Sequence, residues 1–60
     1  MSKKNDIQQM TFFELCQEVR SAFLQKELWI IKLVRSEFRM RGMSKNKVEL
    51  TIFDILNYYN

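Results

Sequence analysis

Glu14 and Glu18 lie four residues apart, so on a helix their carboxylates share one face. Such a pair can divide acid and base work when burial separates their proton affinities. Here the pair sits among polar residues, Gln17 and Arg20 included, and reads as a solvated face. Histidine, the commonest general base, is absent. The one cysteine, Cys16, falls among apolar positions, where a thiol acts as a small, inert hydrophobe. A single cysteine cannot close an internal disulfide, and without histidine it cannot build a usual four-ligand zinc site. The chain has one glycine, too few for a glycine-rich phosphate loop. The sequence therefore reads as non-enzymatic, with no cofactor and no metal.

Charge is the stronger signal. Residues 1–31 carry four basic and four acidic side chains, and residues 48–60 carry only Glu49 and Asp54. Between them, Lys32, Arg35, Arg39, Arg41, Lys45 and Lys47 face a single acid, Glu37, so this stretch holds the whole positive balance. Lys32, Arg35 and Arg39 fall within about 60° of one another on a helix of 3.6 residues per turn. With Arg41, Lys45, Asn46 and Lys47 they form a candidate patch for phosphate, nucleic acid, anionic lipid or an acidic protein. A solvated, basic helix end gives the same pattern, because cations suit the negative end of the helix dipole.

The elements that position these residues read as all-α. Proline is absent, and the only glycine is Gly42. Residues 1–10 form a polar, flexible lead-in, and residues 11–60 form one helical-hairpin domain. Thr11-Phe12-Phe13-Glu14 has the form of a capping box. From there Phe12, Cys16, Val19, Phe23, Ile30 and Val34 recur at helical spacing, broadened by Leu15, Ala22, Leu33 and Phe38. Lys26-Glu27 interrupts the stripe. Gln25-Lys26-Glu27-Leu28 are all good helix formers, so the expectation is one long helix over about 11–41, in preference to a break near Gln25. Gly42 ends it, the turn covers 41–44, and Ser44 caps a shorter helix over about 45–58. Val48 to Ile52 alternates like a strand, but Phe53 to Leu56 restores the helical period.

A two-helix hairpin buries one seam, whereas Leu28-Trp29-Ile30-Ile31 with Leu33 and Val34 is apolar on nearly every side. The expectation is a dimeric helical bundle whose core holds Phe23, Trp29, Ile30, Val34 and Phe38. The weaker alternative is a monomeric three-helix core. No apolar run approaches the roughly 20 residues of a membrane span. The charged N-terminus leads to no apolar stretch of an export signal, which points to the cytoplasm.

Gly42-Met43-Ser44-Lys45-Asn46-Lys47-Val48 resembles the turn and recognition-helix start of helix-turn-helix DNA-binding domains. The resemblance implies that Ser44, Lys45, Asn46 and Glu49 read bases, Asn suiting adenine and Lys guanine. It covers about a dozen residues. Bulky Phe38 stands where that family has a small residue, and Glu37 and Arg41 stand where it has apolar ones. The hairpin is also similar in outline to the small helical aspartyl-phosphate phosphatases of sporulation signalling. Their Ser-Gln-Glu-Leu-Asp signature is replaced here by Glu49-Leu50-Thr51-Ile52-Phe53. The sequence thus points to a small adaptor or regulator that binds itself and a larger protein through helices, modulating or inhibiting that partner. The alternative is a small DNA-binding regulator that uses the basic turn.

Overall fold

The computed structural model describes residues 2–58, all of whose regular structure is helical. Four helices follow in order: α1 (Lys3–Gln8), α2 (Phe12–Leu24), α3 (Leu28–Met40) and α4 (Lys45–Tyr58). The all-α reading stands, but the single long helix does not. Residues 11–41 hold two helices of 13 residues each, separated at Gln25-Lys26-Glu27. The segment expected to be a frayed lead-in also folds. Ser2 caps α1 by accepting from the Asn5 N–H at 3.3 Å, and α1 buries Ile7 to 1% exposure.

The break in the long helix has a definite backbone form. Glu27 N–H donates to Ala22 O at 2.8 Å, and Lys26 N–H donates to Phe23 O at 3.1 Å. These are the two bonds of a Schellman motif, which needs a left-handed residue between them. Lys26 takes that role with φ 60°. The turn after α3 repeats the pattern: Met43 N–H donates to Phe38 O at 3.1 Å and Gly42 N–H to Arg39 O at 3.0 Å. Here Gly42 is the left-handed residue, with φ 99°. A lysine can occupy this conformation at a cost of about 1–2 kcal/mol, whereas glycine has no such penalty. Sequence rules search for the glycine, so they find the second corner and pass over the first.

The capping box at α2 is present as expected. Thr11 N–H donates to Glu14 Oε1 at 2.8 Å, and Glu14 N–H donates to Thr11 Oγ1 at 3.2 Å. Ser44 Oγ accepts from the Lys47 N–H at 3.2 Å and starts α4. No side chain caps α3, which follows Glu27 directly.

One apolar core joins all four helices: Ile7 from α1; Leu15, Val19 and Ala22 from α2; Ile30, Ile31, Val34 and Phe38 from α3; Val48, Ile52 and Ile55 from α4. Among the described residues no polar or charged residue is buried in it. Because the break frees α2 to fold back on α3, its buried stripe is Leu15, Val19, Ala22. Phe12, Cys16 and Phe23 are turned to the edge. The apolar girth of α3 that implied a second chain is largely covered by α1, α2 and α4 of the same chain. Ile30, Val34 and Phe38, expected in a dimer core, are therefore interior residues here, and Phe38 has no exposed surface. Its ring meets that of Phe12 at 5.4 Å between centroids.

Candidate docking surfaces

Once the core is filled, ten large apolar side chains remain exposed among the described residues. They are not scattered. Four of them, Phe23, Leu24, Leu28 and Trp29, fall within seven residues at the α2–α3 corner. Trp29 is 55% exposed because Ile30, Ile31, Val34 and Phe38 turn the other side of α3 inward. Phe23 is 43% exposed at the end of α2. The two members of the expected dimer core that stay outside are thus both on this corner. Exposed apolar side chains at one corner of a small protein make that corner a candidate docking surface.

A second apolar region follows α4. On its α2 side an open groove of about 610 Å³ is lined by Phe13, Cys16, Asp54, Ile55, Asn57 and Tyr58. On its α3 side a groove of about 480 Å³ is lined by Arg35, Glu49, Leu50, Ile52, Phe53 and Leu56. Leu50 and Phe53 of this second groove are 61% and 64% exposed. Sequence periodicity places the α4 stripe on Val48, Ile52, Ile55, Leu56 and Tyr59, the last outside the described residues, and gives no role to Phe53 or Leu24. The signal that exposes them is the mismatch between the number of large apolar residues and the one core that 60 residues can build.

The expected basic patch is divided by the fold. Arg35, Arg39 and Lys45 line one crevice of about 280 Å³, together with Glu49. Arg35 Nε lies 3.0 Å from Glu49 Oε1, so part of that charge is offset. Arg39 donates to Met43 O at 3.4 Å across the turn. Lys47 leaves α4 on nearly the opposite side from Lys45, two residues being about 200° of helix. Lys32 and Asn46 are exposed. Arg41, expected in the same patch, makes contacts within the fold. Its Nη2 donates to Met10 O at 2.6 Å and reaches Gln8 O and Ile7 O at 3.4 and 3.5 Å. Its Nε donates to Glu37 Oε2 at 2.6 Å. The guanidinium thus satisfies carbonyls at the C-terminal end of α1, where a cation also suits the dipole.

The residues considered for acid–base chemistry are occupied in the same way. Glu14 is in the capping box, and the Thr11 hydrogen bonds hold its carboxyl below the usual glutamate range. Glu18 pairs with Lys3, tying α1 to α2; the hydrogen bond to Glu18 raises the lysine. Desolvation pushes the Cys16 thiol up, away from the reactive thiolate. Among the described residues no group of three or more His, Cys, Asp or Glu side chains is placed to hold a metal, and no helix is long and apolar enough to cross a membrane. No protein-family model matches the chain, and no curated protein or solved structure shows significant similarity to it.

Proposed function

We propose that this protein is a small cytoplasmic adaptor or regulator that docks onto a larger protein and modulates or inhibits it. The observation that carries this reading is the α2–α3 corner, where Phe23, Leu24, Leu28 and Trp29 stand exposed. Four large apolar side chains held in water are unfavourable by roughly 25 cal/mol per Å² of apolar surface, a cost that burial against a partner removes. Trp29 is the residue type most often found as an interface anchor. Glu14 and Glu18 support a non-catalytic role, since both are engaged in helix ends and pairing.

A second reading, DNA binding, draws on the α3–α4 turn, where Lys45, Asn46 and Lys47 stand exposed at the start of α4. It is the weaker reading. The next outward residues on that helix are Leu50 and Phe53 rather than groups that meet base edges, and Glu49 faces Arg35.

The test is capture from an extract of the protein's own cells, with and without nuclease, beside titration of the pure protein onto duplex DNA across a salt series. The docking reading expects a partner protein retained after nuclease treatment. It expects DNA binding no tighter than the nonspecific range, roughly 10⁻⁴–10⁻⁶ M at physiological salt. Loss of every captured protein on nuclease treatment, with tight binding to a defined duplex, would replace this reading by the second.

A further inference from the structure

The outward face of α4 has a pattern that fits its own copy. Asn46, Leu50, Phe53 and Asn57 are spaced four, three and four residues apart and all are exposed, so they form one stripe along the helix. The stripe reads the same in both directions: polar, apolar, apolar, polar. Laid antiparallel on a second α4 about an axis between Leu50 and Phe53, each Leu50 meets the other copy's Phe53. Each Asn46 meets the other copy's Asn57.

The flanking charges agree with that register and with the antiparallel direction. Lys47 and Asp54, seven residues apart, lie along one edge of the stripe, and both are exposed. In an antiparallel pair this edge faces its own counterpart, which brings each Lys47 to the partner's Asp54 twice over. A parallel two-fold pair would instead set this edge against the Glu49 edge and leave Lys47 and Asp54 apart. On the other edge Glu49 is engaged by Arg35 at 3.0 Å, so it is drawn toward α3 and away from the seam. Asn57 donates Nδ2 to Phe53 O at 2.8 Å, which leaves its carbonyl oxygen to accept from the opposing Asn46.

We infer that the protein self-associates through α4 as an antiparallel, two-fold symmetric pair, with Leu50 and Phe53 at its centre and Lys47–Asp54 ion pairs along one edge. The occupant is a second copy because the stripe and the charges are complementary to themselves. The contact spans one 14-residue helix of about 21 Å. An interface of that size is at the small end of specific contacts, so the association is reversible. It is separate from the α2–α3 corner and does not depend on that corner's docking role.

The test is sedimentation equilibrium of the full chain over a concentration series, with circular dichroism confirming that each variant is folded. Wild type is expected to approach twice 7.4 kDa as concentration rises into the hundreds of micromolar. Lys47→Glu and Asp54→Lys should each weaken the dimer by about tenfold, since each sets two like-charge contacts in place of two ion pairs. Combining them restores the pairs with reversed sign and should recover the dimer. Trp29→Glu should leave it unchanged, which separates this claim from the docking reading. A wild-type chain that stays monomeric throughout would overturn the inference. So would a dimer indifferent to both charge reversals, or one that Trp29→Glu dissolves.

Discussion

The two corners of α3 are built by the same hydrogen bonds and put to different use. At the α3–α4 corner the left-handed position is Gly42, the next residue is apolar Met43, and the residue beneath it is the fully buried Phe38. Ser44 then caps the next helix, and Arg41 reaches across to α1. These contacts all serve the fold. At the α2–α3 corner the same positions hold Lys26, Glu27 and small Ala22, no side chain caps α3, and the flanking apolar residues face outward. This second corner has a left-handed lysine and exposed hydrophobes, features that the proposed docking role would put to use.

The largest test of this contrast is Phe38→Ala. It removes the anchor of the well-built corner and leaves a cavity, and should cost about 3–5 kcal/mol, enough to unfold so small a domain. Leu28→Glu at the other corner should change the urea midpoint little, because exposed substitutions stay within about 0.5 kcal/mol. Next in size is Arg41→Gln. It removes charge-assisted hydrogen bonds to the end of α1 and should cost about 2 kcal/mol. Hydrogen exchange should rise first in α1, which Arg41 and the Lys3–Glu18 pair hold in place.

The left-handed positions give effects of opposite sign. Gly42→Ala should destabilise by about 1 kcal/mol through backbone strain alone, since a Cβ there would meet nothing within 4 Å. Lys26→Gly should stabilise by up to about 1 kcal/mol, the relief being reduced by glycine's freedom in the unfolded chain. Matched chemical-denaturation curves check both; equal responses of the same sign would end the contrast between the corners.

The smallest effect is on pH dependence, and it leaves both corners alone. Glu14 is depressed by the capping box, so its stabilisation holds above the ordinary glutamate range and is lost as pH falls through and below it. Lys3 is raised by Glu18, so its contribution holds at neutral pH and is lost as pH rises past the ordinary lysine range. Stability should be flat near neutrality and decline at both ends. Glu14→Gln, which keeps a side chain able to complete the capping box, should remove part of the acid decline.

The sequence makes legible what depends on residue type at one position. Thr11 and Glu14, Gly42 and Ser44 announce their local structures, and the helical period of α4 predicts its buried Val48, Ile52 and Ile55. The α2–α3 break was hidden because Lys26 occupies a conformation that sequence rules assign to glycine or asparagine. That omission had consequences. A continuous helix needed a second chain to cover Ile30, Val34 and Phe38, whereas a folded-back α2 covers them within one chain. Helix α1 was hidden because its one core residue, Ile7, shows no periodicity by itself. Sequence separation does not show that Arg41 turns to α1 or that Arg35 lies beside Glu49.

The claim that one corner docks while the other holds is tested most directly by a single capture experiment after nuclease treatment. It compares wild type with two folded variants, Leu28→Glu/Trp29→Glu and Arg39→Gln/Lys45→Gln/Lys47→Gln. The bound protein should disappear with the first variant and persist with the second. Retention by the Leu28/Trp29 variant together with loss by the basic-residue variant would contradict the account and move the binding site to the α3–α4 corner.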